Sequence, residues 1–222
     1  MVARPSSRSE HAVAPPESST PYADELERMT LVSTRPRMLF VLDDPRAETT
    51  ENVTPYVWAE SERVLNGESF SPVWEPTLRP LGAWSYAVRH RVRDLYLIDD
   101  IASARGLREI SVLVVGKPGQ CDAGTVRKAI AQVNPELTVC AGCETTYWPL
   151  VGRLELDCAL LTTAYDEPVY YSTLRTGDEQ SVLLCFWHPS QGYYTEGGHH
   201  HLFKLFLHAY DALCRKRLLS GQ

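Results

Sequence analysis

Residues 181–190 read SVLLCFWHPS, and the fold turns on how this stretch is interpreted. The apolar run is short and stops abruptly at His188-Pro189-Ser190. A run of that length, bounded by a proline and a glycine-containing loop, reads as a strand buried on both faces. Such strands belong to sheets covered by helices on either side. Open α/β sheets bind ligands at the carboxyl ends of their strands, so this reading puts an imidazole at a ligand-binding edge. The plain alternative is a strand-ending surface histidine.

An earlier stretch has the same shape. Residues 37–45 read RMLFVLDDP, apolar from Met38 to Leu42 and then Asp43-Asp44-Pro45. Two buried strands, one ending in Asp-Pro and one in His-Pro-Ser, can converge an acid and an imidazole on one cleft. The pair resembles the uracil-DNA glycosylase superfamily. There a first motif, a strand ending in Gly-Gln-Asp-Pro-Tyr-His, and a last motif, a strand ending in His-Pro-Ser, frame the catalytic domain. Asp44-Pro45 matches the first and His188-Pro189-Ser190 the second, in the same order and about a domain apart. The Gly-Gln before Asp-Pro and the Tyr-His after it are missing here. So is the asparagine that uracil-reading relatives place on the second central strand, where this chain has 112–116, Val-Leu-Val-Val-Gly.

The 222 residues, 44% of them hydrophobic, suffice for one domain with a sizeable core. Residues 1–20 are rich in Ser and Pro and read as a disordered tail, leaving 21–222 as a single domain. Thr20-Pro21 reads as the start of a short helix to about Met29. Further buried strands are expected near 110–116 and 137–141, beside those at 38–42 and 182–187. Together they give a three-layer α/β/α sandwich with a mainly parallel four-stranded central sheet. Residues 44–80 read as a long connection with a helical piece near 57–65, followed by a helix over 81–98. Asp122 reads as the cap of a helix that ends at Asn134-Pro135. An amphipathic helix with Leu202, Phe206, Ala209 and Leu213 on one face runs through Leu219.

A net charge of −6 does not advertise a nucleic-acid binder, although only the field near the cleft matters for one. The six cysteines come without a secretory signal or an apolar span of membrane length. The expectation is therefore a cytoplasmic monomer with reduced thiols and no membrane association. Cys140 and Cys143 have CxxC spacing but no second pair to complete a zinc site, so structural thiols are the expectation. Some glycosylases hold an iron–sulfur cluster with cysteines near the N-terminus. No cysteine precedes Cys121, so no metal or cofactor is expected.

The resemblance implies a DNA partner and hydrolysis of the N-glycosidic bond of a flipped-out pyrimidine. It assigns Asp44 to the positive charge on the sugar and to orienting a water, with Asp43 as the competing carboxylate, because alternation points only one of them into the cleft. It assigns His188 to the departing base anion. Pro45, Arg46, Gly116 and Lys117 would line the base pocket. Tyr56 is one of four aromatics, with Trp58, Phe70 and Trp74, available to stack on the base. Pro189, Ser190 and Gln191 would meet the DNA backbone, with Ser190 holding a phosphate through its hydroxyl and N–H. Tyr193 or Tyr194 would wedge the gap left by the base. His199 and His200, at the start of the last helix, would contact phosphate. Arg46 stands where uracil-specific relatives carry an aromatic wall against carbon 5. The expected substrate is accordingly uracil or a 5-modified pyrimidine, including the hypermodified bases of bacteriophage DNA; in that last case the role would be attack on foreign DNA rather than repair. A catalytically silent DNA-binding relative and a nucleoside-type hydrolase of similar architecture are the alternatives.

Overall fold

Six residues, Met38–Asp43, form β1, and the first five are buried. β1 pairs in parallel with β3 (Ile110–Val115) on one side and with β4 (Leu137–Ala141) on the other. β4 in turn pairs in parallel with β7 (Glu179–Phe186). The computed structural model describes residues 37–219 apart from 45, 46, 48, 117–120, 164, 166, 195 and 196. The tail at 1–20 and the helix expected to end near Met29 lie outside the described residues.

All four expected central strands are present and adjacent, but the sheet is not four-stranded. β2 (Glu51–Asn52) adds an antiparallel edge beside β3. β6 (Val169–Thr176) pairs antiparallel with β7, and β5 (Cys158–Leu161) with β6. The result is a mixed seven-stranded sheet of order β2-β3-β1-β4-β7-β6-β5. The hairpin that extends it turns at Gly177, whose φ of 66° suits a residue without a Cβ.

Helices cover both faces, as strands buried on two sides require. The face carrying Met38, Phe40 and Leu42 packs against α1 (Thr54–Leu65), α2 (Glu75–His90), α3 (Asp100–Leu107) and α6 (Gly198–Arg215). The opposite face, with Leu39 and Val41, packs against α4 (Ala123–Val133) and α5 (Trp148–Arg153). The chain is thus an α/β protein with helices on either side of the sheet.

Helix boundaries shift from expectation for identifiable reasons. α2 starts at Glu75 rather than 81, since Pro76 sits in the first turn, where its missing N–H costs nothing. It stops at Arg91, which adopts φ 57°, and a 3-10 turn, Leu95–Leu97, replaces the expected last turns. α2 and α3 cross closely, because a Cβ on Gly82 would lie 2.1 Å from the Ser103 carbonyl oxygen. α4 follows its expected cap, with the Asp122 carboxylate accepting from the Gly124 N–H at 2.9 Å. α6 ends at Arg215, one turn before Leu219. Among the described residues, no helix is long and apolar enough to cross a membrane.

Trp84 of α2 is the largest fully buried side chain. It stacks on Phe206 of α6 at 5.0 Å and meets the edge of Phe186 at 5.3 Å, tying two helices to the end of β7. Trp84→Ala is expected to destabilise the fold by about 3–5 kcal/mol, the scale of a large aromatic removed from a packed core. Chemical denaturation checks this, and an unchanged midpoint would contradict the packing role.

Candidate functional site

From β1 the chain goes to β3 on one side and later returns to β4 on the other, so the sheet has its switch point between β1 and β4. That is where open α/β sheets leave a crevice at their carboxyl edge. Asp43 ends β1 and Gly142 follows β4. Gly142 has φ 92°, and a Cβ there would come within 2.6 Å of Asp43 Oδ1. Both its conformation and the space available call for glycine. The Asp43 carboxylate therefore lies directly against the Gly142 backbone.

His188 arrives from the other side. The Gly142 N–H donates to the Phe186 carbonyl at 3.0 Å, which fixes the end of β7 beside that of β4. Two residues later, His188 Nε2 lies 3.9 Å from Asp43 Oδ1. This is ion-pair range but too long for a hydrogen bond. Ser190 holds the other ring nitrogen: its backbone N–H donates to Nδ1 at 3.3 Å, and its hydroxyl lies 2.7 Å from the same atom. A backbone N–H can only donate, so Nδ1 is the acceptor and the neutral ring carries its proton on Nε2. Burial lowers the His188 pKa below the ordinary histidine value, while the charges of Asp43 and Asp44 act against that shift. The site presents a neutral imidazole whose remaining N–H is available at the carboxyl edge.

The two carboxylates sit differently. Asp43 continues the Leu39–Val41 side of the strand. Asp44 comes just after the strand, and its N–H is bound to the Val115 carbonyl at 3.0 Å. Asp43 is the nearer to His188, and Asp44 is within electrostatic reach of the ring.

The other expected site residues fall into three groups. Gly116 is buried and directly follows β3, beside Asp43 at the same edge. Pro45, Arg46 and Lys117 lie outside the described residues. So do the side chains of Tyr193 and Tyr194, whose backbone closes the 3-10 helix Pro189–Tyr194. Pro189 is buried in that helix and Gln191 is exposed. The Ser190 hydroxyl and N–H, expected to hold a phosphate, both lie against His188 Nδ1. Tyr56 projects from α1 with 66% of its surface exposed, whereas Trp58 donates to the Ile110 carbonyl and Phe70 is buried. His199 and His200 line a cavity of about 400 Å³ with Arg79, Trp84, Tyr96 and Asp99. Neither Asp43, Asp44 nor His188 contributes to its wall. The His200 ring meets Tyr96 at a tilt of 43°, with ring centroids 4.1 Å apart.

Two features went unread in the sequence. Gly142 is one, and its signal was a glycine directly after a buried run. The other corrects the expectation of reduced thiols: Cys143 and Cys185 form a disulfide with Cα atoms 5.4 Å apart. Cys140, the other half of the CxxC, sits opposite Cys185 in the β4–β7 ladder and stays free. Its thiol pKa is raised by complete burial. Among the described residues, no group of three His, Cys, Asp or Glu side chains is placed to hold a metal ion.

No match was found when the chain was compared with family models, with curated proteins and with solved structures.

The lowered His188 pKa has a definite sign in stability. Below about pH 6.5 the unfolded chain takes up the proton more readily than the folded one. The contribution of this group is complete above that pH and is lost as pH falls through the folded-state value. NMR titration is expected to show His188 protonating below the ordinary histidine range. In Asp43→Asn it should protonate lower still, because a charge opposing the shift is gone. A His188 midpoint at or above the ordinary value would contradict the burial described here.

Proposed function

We propose that this chain is a DNA glycosylase that hydrolyses the N-glycosidic bond of an extrahelical pyrimidine and leaves an abasic site. One observation carries the reading: strand-end carboxylates and a neutral, tautomer-fixed imidazole meet at the switch point of the sheet. They come from the two segments that resemble the first and last motifs of the uracil-DNA glycosylase superfamily. On this reading the parallel core β3-β1-β4-β7 corresponds to the sheet of that superfamily, and the antiparallel strands are additions at its edges.

The reaction develops positive charge on the sugar and negative charge on the base. Its needs are a carboxylate on the sugar side with room for water, and a hydrogen-bond donor at a base oxygen. His188 meets the second need with Nε2–H. Groups that flank both a sugar and an attacking water stand well apart, about 6.5–9.5 Å in inverting glycosidases. Asp43, at 3.9 Å from the ring, is too close for that part. It orients the imidazole, and Asp44 takes the sugar-side role. Extruding the base costs a few kcal/mol of stacking, which the residues after Ser190, with Tyr193 or Tyr194 as the wedge, offset by filling the gap.

The substrate class follows from the residues that come directly after Asp44-Pro45 in sequence. Arg46 and the small Ala47 occupy the place of an aromatic wall, and an arginine can swing aside or donate a fork of hydrogen bonds. The pocket then accepts a pyrimidine enlarged at carbon 5, with Arg46 facing the substituent, as in hypermodified bacteriophage DNA.

Oligonucleotides bearing uracil or 5-substituted pyrimidines, followed by alkaline cleavage at abasic sites, test the reaction class. Absence of cleavage on every substrate would sink the proposal. Asp44→Asn and His188→Ala are each expected to slow single-turnover release by roughly a hundredfold with DNA binding kept. Asp43→Asn is expected to slow it by less than about tenfold, the lesser effect of a group that acts only through the imidazole. The reverse pattern would transfer the sugar-side role to Asp43. For the substrate class, faster release of uracil, unchanged in Arg46→Ala, would rule out the enlarged pyrimidine.

A further inference from the structure

The CxxC segment has no part in the chemistry above, yet it borders the site on two sides. Cys143 follows Gly142, the residue whose backbone supports the Asp43 carboxylate. Cys185 lies three residues before His188 in β7. Their bond spans 42 residues of sequence and joins the turn after β4 to the strand that delivers the imidazole. Around it, the Thr145 and Thr146 N–H groups converge on the Gly142 carbonyl at 3.1 and 2.9 Å, so the turn moves with Gly142 as a unit. Across to β7, that unit is tied by the Gly142–Phe186 hydrogen bond and by the sulfur bridge.

We infer that the Cys143–Cys185 pair is a redox-controlled positioning device, whose bonded form holds Asp43 and His188 in working register. The activity arm of this inference rests on the glycosylase reading. Cys185 is buried and Cys143 is partly exposed, so Cys143 is the sulfur that an external thiolate can reach. Attack there forms a mixed disulfide with Cys143 and releases the Cys185 sulfur as a thiolate, which takes a proton. A second external thiol then displaces Cys143 and leaves as the disulfide of the reductant. Two thiols of the reductant are oxidised and one protein disulfide is reduced to two thiols. Once opened, the turn loses its covalent tie and is held to β7 by the Gly142–Phe186 hydrogen bond and the end of the β4–β7 ladder, so Gly142 can shift relative to His188. Misplacement of about 1 Å in a catalytic constellation can cost a hundredfold in rate.

The full chain is prepared oxidised and, separately, reduced with dithiothreitol and desalted, and its thiols are counted by alkylation under denaturing conditions and mass spectrometry. The oxidised protein is expected to label at Cys121, Cys140, Cys158 and Cys214 alone, and the reduced protein at all six cysteines. Base release is expected to be about tenfold to a hundredfold slower in the reduced form and to recover on reoxidation. Cys143→Ser should show the slow rate and ignore reductant, while Cys158→Ser should respond as the wild type does. Should Cys143→Ser fail to fold, the wild-type redox comparison decides alone. The NMR titration midpoint of His188 is expected to differ between the two forms, a readout that needs no substrate. If neither form releases any base, the glycosylase reading has failed and this titration decides the redox inference by itself. Labelling of all six cysteines in the oxidised protein, equal release in both forms, or a His188 midpoint indifferent to redox state would each overturn it.

Discussion

Parallel pairing of β1 on both of its edges is the constraint on which the rest depends. Its backbone hydrogen bonds run to β3 and β4, and both of its faces are covered by helices. No charged side chain fits along such a strand until it emerges from the layers, so Asp43 is the first residue that can carry one. At that same level β3 still carries Val115, whereas β4 gives way to Gly142. The absence of a side chain at Gly142 makes the space in which the carboxylate sits. β7 then reaches the level through its ladder with β4, and Trp84 clamps its end against α2 and α6 through Phe186.

The sequence made the central strands legible because parallel strands covered on both faces need unbroken apolar runs, and four such runs were present. The flanking strands were harder. β5 and β6 face solvent in part and read only as β-rich, since nothing in a half-exposed run fixes its partner or direction. The start of α2 was hidden by Pro76 and Pro80, which look like breakers when the first turn is not known. Alternation alone could not choose between Asp43 and Asp44. Where both faces of a strand are apolar, polarity sets no phase, and either neighbour satisfies the pattern equally. The sulfur bridge was invisible for a related reason. Cys143 finds its partner 42 residues away, and that contact exists only once β4 and β7 are known to be adjacent. The sequence marks Gly142 only as a glycine directly after a buried run; its role lies in its backbone torsion and its distance to a carboxylate, and neither is written in composition.

The hold of Ser190 on Nδ1 reaches beyond orientation. A ring that must accept at Nδ1 has one proton in its neutral form, and that proton is the Nε2–H available to the substrate. Such an imidazole can stabilise a departing anion, but it has no second proton to hand over while remaining neutral. On the glycosylase reading the base therefore leaves with its electron pair, and the rate is governed by how well that base bears negative charge. Electron-withdrawing groups at carbon 5 would speed departure whether or not the pocket touches them. The logarithm of the excision rate would then fall steadily as the basicity of the leaving pyrimidine anion rises. Selectivity in such a site is partly a property of the leaving group, imposed through the hold of one serine on the imidazole.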